Sequence, residues 1–169
     1  MKTPLWTPSE QRKQDANITR FMREVSARHK LNLVSYSDLY QWSVENIPDF
    51  WVQMWDFVEI KASKHYDSVV MDVSVFPGAK WFPGAKLNFA ENLLRYRDDQ
   101  LAFVFIGEMQ TSKRMMYAEL YDAVARLAHS LKNEGVGVGD RVVGYMPNLI
   151  ETVVCMLAAA SLGATWASC

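Results

Sequence analysis

The residues whose types and spacing could do chemistry are few, and they do not converge. Lys80 and Lys86 each close a copy of the same word, Phe-Pro-Gly-Ala-Lys, at 76–80 and 82–86. A lysine beside a glycine turn suits a phosphate, but a phosphate site also needs the free amides of a helix N-terminus, and neither lysine leads straight into one. Gly135, Gly137 and Gly139 invite comparison with a dinucleotide fingerprint. In that fingerprint the glycines follow a strand and open a helix; here they follow a helical pattern and open a strand-like run, so they read as a helix C-cap and a tight connection. His29, His65 and His129 are far apart and lack metal-ligand spacing, and His129 reads as a solvated residue on a helix. Cys155 and Cys169 have neither metal nor disulfide-framework spacing. No glycine-rich loop ending in lysine, no Gly-x-Ser-x-Gly elbow and no His-Glu-x-x-His occurs. Read from the residues alone, this is an α/β enzyme-like scaffold to which no catalytic, cofactor-binding or metal-ligating residue can be assigned.

Composition narrows the classes further. The chain has 169 residues, half of them hydrophobic, which is enough for a sizeable core. A net charge of -1 and a pI near 6.3 lack the basic footprint of a nucleic-acid binder. Two cysteines without a framework fit a reducing, cytoplasmic compartment. The N-terminus, MKTPLWTPSEQRK, has no apolar h-region. Residues 152–169 carry no charge and could be weighed as a membrane anchor, but the run is rich in Ala, Ser and Thr, has no basic flank and contains its own helix stop at Gly163. A buried helix and strand is the better reading, with no membrane partner.

The elements that would position anything begin with Thr7, Pro8 and Glu10, a hydroxyl cap, a proline at the first helical position and a carboxylate to bond back. The helix they open should run to about His29 with Ile18, Phe21, Met22 and Val25 on one face, and Asp15 and Asn17 are the candidates to interrupt it. A second amphipathic piece spans 37–44, with Leu39, Tyr40 and Trp42. A third starts near Asp49, with Phe50, Trp51, Met54 and Trp55 on one face. Rings this dense could line a ligand cage, but at helical spacing core is the simpler reading. Residues 69–75 are a candidate extended run leading into the doubled Pro-Gly turns, which make a looping strap. Asn88 with Glu91 is a capping box opening a helix to about Tyr96.

Residues 101–106 and 113–117 read as a hairpin turning at 107–110, followed by a helix over 118–134 with Leu120, Val124, Leu127 and Leu131 inward. The last stretch reads strand, helix, strand: a run over 141–146, a helix over 149–162 capped by Asn148 with Glu151, a C′ glycine at Gly163, and a buried strand from 164 to 168. Such a unit buries its strands on both faces and needs neighbours, so the sheet is expected to be incomplete. The fold class is therefore α/β: a helical, aromatic-rich N-terminal segment over 1–97, then a β-hairpin and the first β-α-β units of a truncated sheet domain over 98–169.

The wording of three stretches carries a resemblance. YQWSVENIPDFW at 40–51, PGAKWFPGAKLNFAENLL at 77–94 and GVGVGDRVVGYMPNLIETVVCMLAAASLGATWAS at 135–168 resemble the N-terminal region of acetoacetyl-CoA synthetases, within the adenylate-forming acyl-CoA synthetase family and close to acetyl-CoA synthetase. Trp81, Phe82, Gly84, Leu87, Asn88, Asn92, Leu93 and Leu94 match the pattern that points to this branch. The resemblance implies the opening part of an AMP-forming ligase using ATP, Mg²⁺ and coenzyme A. A carboxylate, acetoacetate, would attack the α-phosphate of MgATP to give an acyl-adenylate and pyrophosphate, and coenzyme A would then displace AMP. It also implies that the phosphate loop, adenine site, coenzyme A contacts and catalytic lysine lie past Cys169, so none of those ligands is expected on this chain. Met116 departs from the hydroxyl residue usual in the family, a change that would cost about 1 kcal/mol of capping. Two functions follow as expectations: the inactive N-terminal portion of an acetoacetate-CoA ligase, or a short product that binds a full-length synthetase through its unfinished sheet.

Overall fold

The computed structural model describes residues 5–109 and 111–169, which form two compact units, 5–60 with 66–84, and 61–65 with 85–109 and 111–169. The expectations that touch 1–4 and Gln110, the start of the N-terminal run and the tip of the hairpin turn, lie outside the described residues.

The first unit is helical. α1 (Glu10–Gln14) stops before α2 (Asn17–His29), so the chain does break here, at Asp15 and Ala16, and Asn17 opens the second helix. The cap of α1 is a correction: Ser9, not Thr7, accepts from the Arg12 amide at 3.2 Å. α3 (Tyr36–Glu45) starts one residue earlier than its apolar pattern, because Ser35 and Asp38 form a reciprocal capping box. The Asp38 carboxylate accepts from the amides of Ser35 at 2.8 Å and Val34 at 3.0 Å. α4 (Ile47–Phe57) follows, with Pro48 in its first turn. Phe21, Val25, Leu39 and Trp42 are the buried centre, and Phe50 and Phe57 meet Phe21 edge-on at 5.8 and 5.0 Å. The dense rings are therefore mostly core, although Tyr40 and Trp51 stay exposed. Gln53, the one buried polar side chain among the described residues, accepts from Arg28 at 3.2 Å, and Arg28 also pairs with Asp56 at 2.6 Å.

The strap completes this unit. Residues 69–75 form no strand; the segment instead crosses back on itself through a single bridge between Val70 and Trp81. The two identical words then meet different fates. Phe76 of the first is almost fully exposed, while Phe82 of the second packs against Trp55 at 4.7 Å and Tyr66 at 5.1 Å.

In the second unit α5 (Phe89–Leu93) is shorter than expected, ending before Tyr96. Its cap is Asn88, which accepts from the Glu91 amide at 3.1 Å. The Asn88 side-chain amide donates to Ala160 O at 2.9 Å and Ser161 O at 3.3 Å, so one residue caps the start of α5 and the end of α7 (Ile150–Ser161). β1 (Leu101–Ile106) and β2 (Ser112–Met116) pair antiparallel as the expected hairpin. α6 (Tyr117–Asn133) has Met116 as its N-cap residue, and the Glu119 carboxylate accepts the Met116 amide at 2.8 Å. That bond is the half of a capping box that the glutamate supplies; a hydroxyl at 116 would supply the other half by accepting the Glu119 amide.

β3 (Arg141–Gly144) and β4 (Thr165–Ser168) pair in parallel, Arg141 opposite Thr165 through Gly144 opposite Ser168, with α7 as the crossover. Trp166 lies so close to Gly144 that a Cβ there would come within 2.3 Å of the indole. α7 ends in a Schellman motif: the Ala164 amide reaches Ala159 O at 3.1 Å, the Gly163 amide reaches Ala160 O at 3.0 Å, and Gly163 has φ +76°. Its start is a correction, since the N-cap is Leu149 rather than Asn148, and the Thr152 hydroxyl bonds back to Pro147 O at 2.7 Å. β4 is a second correction. It was expected to be buried, but Thr165, Ala167 and Ser168 are exposed, because among the described residues only β3 pairs with it. The core of this unit is Leu120 and Val124 of α6 against Ile150, Val154, Leu157 and Ala158 of α7, with Ala90 and Leu94 beside them.

Two stability outcomes follow. Asn88→Ala should lower the stability of the chain by about 1–2 kcal/mol, since it uncaps α5 and frees the last carbonyls of α7. Asn88→Asp keeps the acceptor for Glu91 but loses both donors and sets a carboxylate against the α7 carbonyl oxygens, so urea melts at pH 7 should place it below the native chain; native stability in Asn88→Asp would show that the α7 bonds contribute nothing. Asp38 is held below its ordinary value of 3.8 by its hydrogen bonds to Ser35, with the Val34 amide adding to them. A lowered carboxylate stabilises the fold above the unfolded pKa and loses that contribution as pH falls through the folded one. Asp38→Asn should therefore melt below the native chain at pH 7, with the gap closing once the pH drops below about 3.8.

Candidate functional site

The residues singled out for chemistry do not assemble. His29 ends α2, packed 5.0 Å from the Trp42 ring, with its Nε2 buried and without a hydrogen bond among the described residues. His129 is exposed on α6, 3.2 Å from the Asn133 amide. His65 lies in the segment that leads into the strap. Among the described residues no group of three or more His, Cys, Asp or Glu side chains could hold a metal ion. Cys155 and Cys169 are free thiols, one half-buried and one exposed. None of the described helices is long and apolar enough to cross a membrane.

The lysines of the doubled word belong to backbone ladders. Lys80 O accepts the Met71 amide at 3.2 Å, and Lys86 exchanges backbone bonds with Ser63 and Lys64 at 2.7 to 3.3 Å. Gly135 and Gly139 both adopt φ +88°. The Gly135 and Val136 amides close α6 on Lys132 O and Leu131 O at 3.0 Å, and the Gly137 amide donates to the Asp140 carboxylate at 2.8 Å. These glycines end a helix and turn into β3, as their order predicts.

Among the described residues, two clefts of the second unit are candidates. One sits at the carboxyl ends of β3 and β4, about 320 Å³, lined by Tyr145, Met146, Pro147 and Cys169. In open parallel sheets this is the end at which ligands bind. The adjacent N-terminus of α7 already carries a carboxylate: Glu151 folds onto its own amide and faces Lys113 at 3.5 Å, and both hold its pKa below the ordinary value, the amide more than the lysine. The second cleft, about 360 Å³, lies beside α5 and α6. Lys61, Glu91 and Arg97 stand around it, and Leu94, Val124 and Ala128 form its apolar floor. The Arg97 guanidinium stacks 3.7 Å from the centre of the Tyr121 ring. Nothing in the sequence signals this cluster, because Lys61, Arg97 and Tyr121 are separated by tens of residues and match no spacing rule.

Comparison with known proteins supplies what the geometry lacks. Residues 36–93 match the profile of the acetyl-coenzyme A synthetase N-terminus, and residues 89–169 that of the AMP-binding enzymes. The chain is 44% identical over 168 residues to the acetoacetyl-CoA synthetase of Danio rerio, covering 97% of this chain and 24% of that protein. Against the acetoacetyl-coenzyme A synthetase of Rhizobium meliloti (strain 1021) it is 36% identical, covering 98% and 25%. The solved structure of acetoacetyl-CoA synthetase from Streptomyces lividans superimposes with a TM-score of 0.88 at 40% identity, covering 99% of this chain and 26% of that one. The chain thus spans about a quarter of the length of the relatives it matches. Its paired β3-α7-β4 unit, its helical N-terminal unit and these matches agree: over nearly its whole length the chain is similar to the N-terminal quarter of acetoacetyl-CoA synthetases, and it carries the acetyl-coenzyme A synthetase N-terminus and AMP-binding profiles side by side.

Proposed function

We propose that this chain forms the N-terminal portion of an acetoacetate-CoA ligase, the enzyme that converts ATP, acetoacetate and coenzyme A into acetoacetyl-CoA, AMP and diphosphate. The observation that carries the reading is the superposition on the Streptomyces lividans acetoacetyl-CoA synthetase over 99% of the chain. In this reading the residues described here build scaffold. The helical unit and strap stand ahead of the sheet domain, and β3-α7-β4 supplies a parallel strand pair whose carboxyl end opens toward a ligand. The ATP, Mg²⁺ and coenzyme A of such a ligase would be handled by groups outside these 169 residues.

The test is acetoacetate-dependent exchange of pyrophosphate into ATP. The 169-residue chain alone should give no exchange, and a chimera in which it replaces the matching quarter of the Streptomyces lividans enzyme should exchange and form acetoacetyl-CoA. Exchange by the isolated chain, or a folded chimera that activates no acetoacetate, would sink the proposal.

A second reading, association with a full-length synthetase, is motivated by the uncovered strand pair: Val143 of β3 is 62% exposed, and Tyr145 just past its end 92%. It requires that the chain co-purify with such a synthetase at fixed stoichiometry. A monodisperse chain with no affinity for the enzyme would discard it.

A further inference from the structure

The cleft beside α5 and α6 has a built form that the ligase reading does not use. We propose that it binds a small amphipathic oxyanion, a carboxylate or phosphate carried on a short apolar body. The two cations at its rim are positioned by separate devices. The Arg97 guanidinium is held over the Tyr121 ring, 3.7 Å from its centre, and its fork of N–H donors suits a planar anion. Lys61 is fixed through its backbone: its amide donates to the Asn92 side-chain oxygen, and its carbonyl accepts the Asn92 side-chain amide, each at 2.9 Å. Asn92 is itself bonded to Asn88 O at 2.9 Å, so this anchor belongs to the same cap that joins α5 to α7. Among the described residues neither cation has an ion pair, and Glu91 is the only carboxylate on the lining, which leaves the rim net positive.

The floor fits the other end of such a ligand. Tyr121, Val124 and Ala128 share one face of α6, and Leu94 and Val124 are core residues whose surfaces close the bottom. Ala128 keeps the floor low, giving a volume of about 360 Å³, at the small end of the range for organic ligands. Charge at the rim over an apolar floor selects for an anionic head on a hydrocarbon body, and against a bare inorganic ion.

The experiment is isothermal titration of the 169-residue chain with hexanoate, hexyl phosphate and hexanamide. The proposal requires saturable one-to-one binding of at least one of the two anions, with the uncharged hexanamide about tenfold weaker or more. Which anion binds more tightly identifies the head group. Arg97→Lys keeps the charge but loses the fork and the stack, and should weaken binding about tenfold. Glu91→Gln should tighten it about twofold to threefold, a gain that partial unfolding could not produce. Thermal melts of each variant check that the fold persists. The inference is overturned if neither anion saturates, if hexanamide binds as well as the anions, or if Arg97→Lys and Glu91→Gln both leave the affinity unchanged in chains that melt like the native one. Because this readout is binding and not pyrophosphate exchange, it fails or holds separately from the ligase reading.

Discussion

The second unit depends on burying α7. This helix has apolar residues on every side, and Leu157, Ala158 and Ala159 are buried almost completely. A helix without a polar face cannot rest on one neighbour, so it needs cover all round. α6 and α5 supply one side, and the parallel pair β3-β4 supplies another. Each large side chain buried this way stabilises the fold by about 1.5–3 kcal/mol. The Schellman turn at Gly163 is what lets the chain leave the helix and return as β4 beside β3. Asn88 serves the end of the same helix: its side-chain amide donates to the Ala160 and Ser161 carbonyls, which lie in the last turn, where carbonyls have no helical partner of their own.

The first unit solves a different problem with the same means. Its helices are short, and two have little beyond caps and one apolar stripe to hold them, so aromatic rings fill the space between. Phe21 meets Phe50 and Phe57 edge-on, and Trp55, Tyr66 and Phe82 gather where the strap returns. Edge-to-face contacts let large rings pack at an angle without voids. The buried Gln53 is tolerated because Arg28 donates to it.

Much of this was legible from residue patterns. The apolar patterning located α2, α3, α4 and α6 closely, because an amphipathic stripe must face the core whatever its partner is, whereas the pattern reads α1 and α2 as one helix and α5 rests on its cap alone. The glycine order at 135–139 excluded a nucleotide loop, since helix-then-strand leaves no N-terminus for the anion. The errors were local. Ser9 and Ser35 out-competed or extended the expected starts because capping depends on the dihedrals of a single residue, and Asn148 lost its place when Leu149 took the extended geometry. The candidate site was less legible. Lys61, Arg97 and Tyr121 come from three separate segments, and no spacing rule joins them.

By itself the sequence determined the elements, their order and the family wording, because these rest on local propensity and on words of several residues. Tertiary structure alone decided which copy of Phe-Pro-Gly-Ala-Lys would half-bury its phenylalanine and which would leave it exposed. Phe76 and Phe82 sit in the same five-residue word, yet only Phe82 meets Trp55 and Tyr66. Likewise it left β4 exposed on one side and placed two cations around an apolar hollow. Local chemistry fixes what a segment can form; burial is set by which distant surface arrives beside it, and that information is spread over the whole chain.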